Sequence, residues 1–359
     1  MDDALAAAAR VLAGARSPAI GGLATDVDGV RAAMALADRI GASVDHCHGD
    51  ALMHNIGALQ SGGWMTTTLT EIRNRADLVL FVGTDTSDYP RFMERTVNAG
   101  TSMFGLRAAD RHVVYLGERL RGAGRGGTAN VTTLRCQAGA LGEAVGALRA
   151  LHAGVRLQTP RVAGLPVAKL AALLERLRAA RYSVVVWSPG RIASTHGDLL
   201  VQRICDLVRD LNGATRCAGF ALGGDDGAVT AANVSAWQSG YPLRVDFSSG
   251  RPVHDPRRFG TRRLLDRGRV DALLWVGAFP SAPSPPRTRV PIVMLGHPAG
   301  VPAEPPAVFI PVGTPGVDHA GTILRADSVV ALPLQAVRAS ALPSTAGVLA
   351  ALLERVERA

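Results

Sequence analysis

The chain has 359 residues, 47% of them hydrophobic and 19% charged, and 39 Lys+Arg against 30 Asp+Glu leave a formal net charge of +9. That length predicts two ordinary domains or one large one, and a charged fraction under the usual ~25% predicts extensive burial, within domains or against partner chains. A membrane-spanning helix is excluded, because no uninterrupted apolar run approaches ~20 residues, and nucleic-acid binding is disfavoured: the basic residues are nearly all arginines spread along the chain, aromatics are 4%, and there is no RNP-like motif, basic helix or stacking platform.

A polyanionic small molecule or an acidic partner subunit fits the charge at least as well. Residues 3–14 read as an Ala/Leu-rich helix. The opening MDDALAAAARVLAGARSPA begins acidic and lacks the basic start and cleavage site of a secretory signal, so a cytoplasmic location is expected. Residues 18–23 form a short apolar strand ending in glycines, 26–40 a helix with an Asp cap, and 42–45 a second strand. This β-α-β unit delivers the His46-Cys47-His48 loop. Gly21-Gly22 is too short to match G-x-G-x-x-G, so the dinucleotide fingerprint is missing.

A helical segment follows, placed at 67–75, and then the apolar run 78–82, a central parallel strand that stops at Gly83-Thr84-Asp85. Further elements are a helix at 91–99, a strand at 112–116, an edge strand at 128–134 and a helix at 138–151. Residues 152–166 read as a linker. A helix at 167–179, a strand at 183–187 and a helix at 198–211 come next. Residues 219–252 are glycine-rich and read as a long irregular loop, a kind that usually has a function or covers an interface. A helix at 262–268, a strand at 271–276, strands at 291–295 and 307–312, a ribbon within 316–333 and a closing helix at 345–358 complete the chain. Strands alternate with helices throughout and stop at glycine. That pattern predicts an open parallel α/β fold with its sites at the carboxyl ends of strands.

The four cysteines, Cys47, Cys136, Cys205 and Cys217, form no C-x-x-C and read as free thiols. Their spacing excludes the compact cysteine runs that hold iron–sulfur clusters. Cys47 between His46 and His48 invites a metal reading. Strand alternation opposes it, since an extended chain points both histidines one way and the cysteine the other. A structural zinc also needs four ligands, and the sequence does not supply them from His54 or Asp50. A buried thiol flanked by hydrogen-bonded histidines is the simpler reading. A Cys–His nucleophile needs a base from elsewhere, and Ser188 lacks the G-x-S-x-G frame. Asp225-Asp226 could bind a cation, but a pair of acids in a Gly-rich loop reads first as a solvated turn, and His254-Asp255 and Asp318-His319 read as turns before sites.

Cys47-His48-Gly49 at a strand end, followed by a helix and then Asn74-Arg75-Ala76-Asp77-Leu78-Val79, resembles the molybdopterin oxidoreductase superfamily. There a metal-ligating cysteine or selenocysteine opens a similar C-H-G segment. Tyr241-Pro242 through Asp246-Phe247-Ser248 to Gly250, then Gly268-Arg269-Val270-Asp271-Ala272, then the GVDHAGT of 316–322 with Arg325-Ala326-Asp327, narrow the match. In that order they are similar to the B-type subunit of formylmethanofuran dehydrogenase and of the related formyltransferase/hydrolase complex of methylotrophic bacteria. The resemblance runs over most of the chain.

The resemblance implies an α/β fold of two Rossmann-like parallel-sheet domains, as in molybdopterin oxidoreductases, lacking the iron–sulfur domain. It maps 1–47 with 240–359 to a discontinuous first domain and 48–239 to an inserted second one. Gly83, Asp85, Gly277 and Asp318 then line a relic of the pterin cleft. Departures are informative. No cysteine precedes Cys47, so the family's cluster is missing. Asp85-Thr86 stands where Asn-Pro is usual and puts negative charge near the phosphates. Phe279-Pro280 replaces an acidic residue before proline, and Ser249 and Val253 replace arginines. No tungsten or molybdenum pterin and no iron–sulfur cluster is therefore expected. Cys47 and His48 are vestigial catalytic candidates, and Cys47 is a metal ligand only if a pterin metal is retained.

The implied role is a non-catalytic, architectural subunit in one-carbon metabolism. The complex moves a formyl group from a tetrahydromethanopterin carrier to a methanofuran-type carrier and hydrolyses it to formate. Implied partners are hydrolase, transferase and glutamate-synthase-like subunits, with the methanofuran-type carrier nearby. The alternatives are an active tungsten or molybdenum pterin subunit and, from a different class, a stand-alone nucleotide-binding enzyme.

Overall fold

Buried apolar strands followed by amphipathic helices organise everything the computed structural model describes, residues 1–118, 130–192, 196–300, 302 and 304–358. They gather into two compact units, Met1–Asp50 with Gly224–Ala359, and Ala51–Gly223. Among the described residues no helix is long and apolar enough to cross a membrane.

The first unit holds a seven-stranded sheet in the order Val253–His254, Val245–Asp246, Ser43–Val44, Pro18–Ala24, Ala272–Gly277, Ile292–Gly296, Val308–Pro311. From Ser43–Val44 onward neighbours pair in parallel; the two strands before it pair antiparallel at the edge. Pro18–Ala24 and Ala272–Gly277 are buried at every residue, so their near-continuous apolar composition is that of strands covered on both faces. Helix Val27–Ile40 starts where the Asp26 side chain accepts from the Gly29 N–H and stops at Gly41, in the left-handed conformation at φ 66°. Helices Thr345–Arg358 and Ala228–Ser239 both pack on it. The ribbon expected within 316–333 is an antiparallel hairpin of Gly321–Leu324 and Ala331–Leu334.

Pro18–Ala24 is not regular. Its register with Ala272–Gly277 shifts between Gly21 and Ala24, where Gly22 and Leu23 take φ of 80° and 51°. A Cβ on Gly22 would lie 2.4 Å from the Val276 carbonyl oxygen, so only glycine fits this bulge. The bulge has a use: the Gly22 carbonyl accepts the Cys47 N–H at 3.0 Å and so sets where the cysteine turn begins.

The second unit is a five-stranded parallel sheet in the order Asn130–Arg135, His112–Gly117, Leu78–Val82, Ser183–Trp187, Cys217–Ala221. Its central strands, LVLFV and SVVVW, are buried at every residue. Of the edge strand expected at 128–134, residues 128 and 129 lie outside the described residues. The buried Arg111 guanidinium donates to the carbonyls of Ile72 at 2.8 Å, Ala76 at 2.9 Å and Arg73, closing the end of helix Leu69–Arg75. A cation there also suits the negative end of the helix dipole.

The structure differs from the sequence reading in three places. Helix Gly49–Gly62 starts directly after the cysteine turn, where the sequence placed a single helix at 67–75. The glycine-rich stretch 219–252 is largely regular, with strand Cys217–Ala221 reaching into it and helix Ala228–Ser239 following. That helix has small residues on every side and is mostly buried, so it shows no amphipathic period to read. It belongs to the first of the two compact units, which takes up the chain again at Gly224. Third, the 152–166 linker contains a small hairpin, Arg161–Val162 with Leu165–Pro166.

Candidate functional site

At the carboxyl end of Ser43–Val44 the chain leaves the sheet. Asp45 and His46 continue without regular structure, and Cys47 and His48 form a turn that runs straight into helix Gly49–Gly62. The alternation argued from an extended chain therefore does not apply: the turn brings cysteine and histidines to one place. The His46 and His48 ring centres are 5.6 Å apart, and the Cys47 thiol lies 3.6 Å from His46 Nδ1.

The residue that completes the group is Asp226, which the sequence reading left as a solvated turn. It sits on the loop that re-enters the first unit, in the left-handed conformation at φ 52° and ψ 32°. Its side chain is only 6% exposed and accepts from His48 Nε2 at 2.9 Å. It also accepts from the Ser281 hydroxyl at 2.5 Å. Gly227 after it, at φ 78°, lies so close to Thr25 that a Cβ would stand 2.8 Å from the Thr25 carbonyl oxygen. A strained aspartate beside a close backbone approach is a costly way to make a surface turn and an effective way to aim a carboxylate.

His46 braces the arrangement. Its Nδ1 accepts the His48 N–H at 3.0 Å, so Nε2 carries the proton and donates to the Asp226 carbonyl at 3.2 Å. Burial pulls the His46 pKa down to about 4, which keeps the ring neutral. His48 is the opposite case: its hydrogen bond to the Asp226 carboxylate raises its pKa. Burial alone would raise Asp226, but the bonds from His48 and Ser281 outweigh it and hold its carboxyl low. Burial pushes the Cys47 thiol up to about 12, and the Asp226 charge adds to the effect.

A buried ion pair anchors the turn from below. Arg244 Nε lies 3.4 Å from an Asp45 oxygen, and the same guanidinium bonds Asp50 and the Pro256 carbonyl. The other Asp45 oxygen accepts the Thr261 N–H at 3.0 Å. The sequence reading looked for basic residues at Ser249 and Val253; the cation stands instead at Arg244 and is engaged by these carboxylates. The signal that could have found it is an arginine inside the apolar, strand-forming stretch of residues 243–247.

Of the expected cleft residues, Gly83 and Asp85 belong to the second unit and Gly277 and Asp318 to the first. Gly83 donates its N–H to the Leu116 carbonyl at 2.8 Å, and a Cβ there would lie 2.7 Å from Leu141 Cδ1, so a neighbouring helix covers it. Asp85 caps the turn after its strand, accepting from the Ser87 N–H at 3.0 Å and hydroxyl at 2.7 Å. Nearby, Thr86 bonds Tyr115 at 2.9 Å and Tyr89 bonds Ser188 at 2.7 Å. Gly277 is the last residue of a buried strand, paired with Ala24 and Gly296. Asp318 accepts from the Thr314 N–H at 2.8 Å and from Arg338 Nε at 2.7 Å, and the Arg338 bond leads the causes that hold its pKa at about 2.

The residues present do not fit a pterin dinucleotide, which carries several negative charges and needs unengaged donors along its phosphates. Asp26 and Asp45 follow strands of the first unit, Asp226 meets the end of Ser43–Val44 through His48, and Asp318 lies in the loop after Val308–Pro311. Among the described residues, the arginines that reach them, Arg244 and Arg338, are each bound to a carboxylate.

No family model matches the chain. The B-type subunit of the formyltransferase/hydrolase complex Fhc of Methylorubrum extorquens is 34% identical over 328 residues, which cover 90% of this chain and 85% of that one. The B-type subunit of the tungsten-containing formylmethanofuran dehydrogenase 2 of Methanocaldococcus jannaschii is 28% identical over 342 residues, covering 91% and 77%. Among solved structures, a chain of the formyltransferase/hydrolase complex from Methylorubrum extorquens, in complex with methylofuran, superposes with a TM-score of 0.85 at 31% identity. That match covers 99% of this chain and 96% of the other. With this likeness along both the sequence and the α/β fold, the chain belongs to the family of B-type subunits of the formyltransferase/hydrolase complex.

Proposed function

We infer that this chain is an architectural, non-catalytic subunit of a formyltransferase/hydrolase complex. That complex passes a formyl group from a tetrahydromethanopterin carrier to a methanofuran-type carrier and releases it as formate. Chemistry resides on hydrolase and transferase subunits, with a glutamate-synthase-like subunit as a further partner, and this chain docks them and lies near the carrier. The reading takes the two units as a discontinuous first domain and an inserted second one. It binds neither a tungsten or molybdenum pterin nor an iron–sulfur cluster.

The observation that carries this reading is that the polar groups at the first unit's strand ends are bonded to one another. An anionic cofactor needs unengaged donors, whereas these strand ends carry carboxylates, and the nearby arginines are spent on them. Likeness to the complex solved with methylofuran supports the partner assignment. A second reading, a working pterin oxidoreductase subunit, is favoured by Cys47 at the strand end and by the tungsten-containing relatives.

Metal and pterin analysis of the chain, purified with whatever co-purifies, separates the two. Absence of tungsten, molybdenum and pterin, with other subunits at fixed ratio, is the expected result. One pterin metal per chain overturns it. Cys47→Ala is expected to leave formyl hydrolysis by the assembled complex within about twofold, a difference of some 0.4 kcal/mol in the barrier. A large loss of turnover with assembly intact refutes the architectural role.

A further inference from the structure

The features that disfavour an anionic cofactor at the Cys47 turn are those that favour a cation. Cys47 Sγ, His48 Nε2 and an Asp226 carboxylate oxygen all lie within 4.8 Å of one another, and all three residues belong to the first unit. Sulfur, imidazole nitrogen and carboxylate oxygen together are the donor set of zinc-class ions, with bonds of about 2.0–2.3 Å.

We propose that Cys47, His48 and Asp226 bind one divalent transition-metal ion of the zinc class directly, without a pterin, as three protein ligands with an exchangeable fourth position. The proposal is independent of the architectural reading, which concerns only the pterin metals.

The supports are already in place. Zinc sites typically have an outer group that fixes each ligand. Here Ser281 holds one Asp226 oxygen at 2.5 Å and leaves the other toward His48. His46 cannot serve as a fourth ligand, since one ring nitrogen accepts the His48 N–H and the other donates to the Asp226 carbonyl. It therefore acts as a positioning residue that ties the cysteine turn to the aspartate loop. His48 is 38% exposed, which provides an entry path.

Binding balances as follows. The ion replaces the proton that joins His48 Nε2 to Asp226, and that proton leaves to solvent. Cys47 loses its thiol proton and bonds as the thiolate. Thiolate and carboxylate then neutralise the two positive charges. A tetrahedral ion needs its donors roughly 3.3–3.7 Å apart by simple geometry from those bond lengths. The 2.9 Å His48–Asp226 contact must open slightly and the wider separations close.

The test uses the full chain with its co-purifying subunits, stripped by chelator and titrated with cobalt(II) alone. One cobalt per chain is expected, with a thiolate-to-cobalt charge-transfer band that zinc abolishes by displacement. Cys47→Ser is expected to lose the band and bind at least tenfold more weakly, whereas the control Cys136→Ser keeps both. Melting with and without zinc gives a second reading: zinc raises the wild-type Tm and leaves that of Cys47→Ser unmoved. If Cys47→Ser fails to fold, loss of the band in His48→Gln carries the same test. Substoichiometric binding, or a band that survives in Cys47→Ser or His48→Gln, overturns the proposal.

Discussion

The first unit's mainly parallel sheet and the second unit's parallel sheet finish their strand ends differently. In the second unit the ends of Leu78–Val82 and Ser183–Trp187 are closed by bonds between hydroxyl and carboxylate groups: Asp85 to Ser87, Thr86 to Tyr115, Tyr89 to Ser188. In the first unit, the end of Ser43–Val44 gathers a thiol and two imidazoles from one turn and a carboxylate from 178 residues further along the chain. The second unit uses polar groups to finish a turn. The first uses backbone strain, at Leu23 and Asp226, to bring ligand-type atoms together. Both arrangements leave the polar groups named here bonded, but the one in the first unit brings sulfur, nitrogen and oxygen donors together.

The largest effect is expected where the second unit is most closed. Trp187 is buried, donates to Asn55 at 2.9 Å and packs against Trp64 at 5.8 Å. Trp187→Ala is expected to lower stability by about 3–5 kcal/mol in denaturant unfolding. A loss under ~1 kcal/mol would show that this end is looser than its bonds imply.

Next is the bulge that aims the cysteine turn. Gly22→Ala places a Cβ against the Val276 carbonyl and a side chain on a left-handed backbone. A loss of about 2–3 kcal/mol is expected. It should come with a changed reactivity of Cys47 toward a small thiol reagent, read by mass spectrometry. An unchanged rate breaks the link between bulge and turn.

Asp318 tests whether a residue expected at a cleft is structural. Its folded pKa, about 2, lies below the ~3.9 of an unfolded aspartate, so its contribution is present above ~3.9 and lost as pH falls through 2. Asp318→Asn is expected to cost about 1 kcal/mol at neutral pH. The gap from wild type should close between pH 4 and 2 in thermal melts; a constant gap contradicts the assignment.

The smallest change in stability is expected from Asp226→Asn, whose clearest readout is local. His48 titrates above the usual histidine value because of Asp226. The stabilisation from the pair is complete below the unfolded pKa of ~6.5 and is lost as pH rises through the raised value. NMR titration of the metal-free variant should find the His48 pKa lowered toward ~6.5. An unmoved pKa would mean that the short contact is not an ion pair.

Much of the molecule was legible in one dimension. The apolar runs 78–82, 183–187 and 271–276 announced buried parallel strands because nothing polar interrupts them, and the Asp26 cap and closing glycines announced the helices between. The order of motifs pointed to the family. Helix Ala228–Ser239 was not legible, because a helix buried on most sides has no polar face to produce a period. The site was half legible. His46-Cys47-His48 could be singled out by composition, yet an extended chain separates their side chains, and only the turn into helix Gly49–Gly62 unites them.

Sequence alone therefore determined the alternation of strands and helices, the lack of cluster-binding cysteines and the position of the cysteine turn, since each depends on local periodicity or spacing. Tertiary structure decided that Asp226 meets His48 across a separation of 178 residues. It also decided that Arg244 is spent on Asp45 and Asp50 and that Asp318 braces a turn. Those outcomes depend on which loops the sheet order brings to one set of strand ends, and a carboxylate's role follows from the partner it finds there.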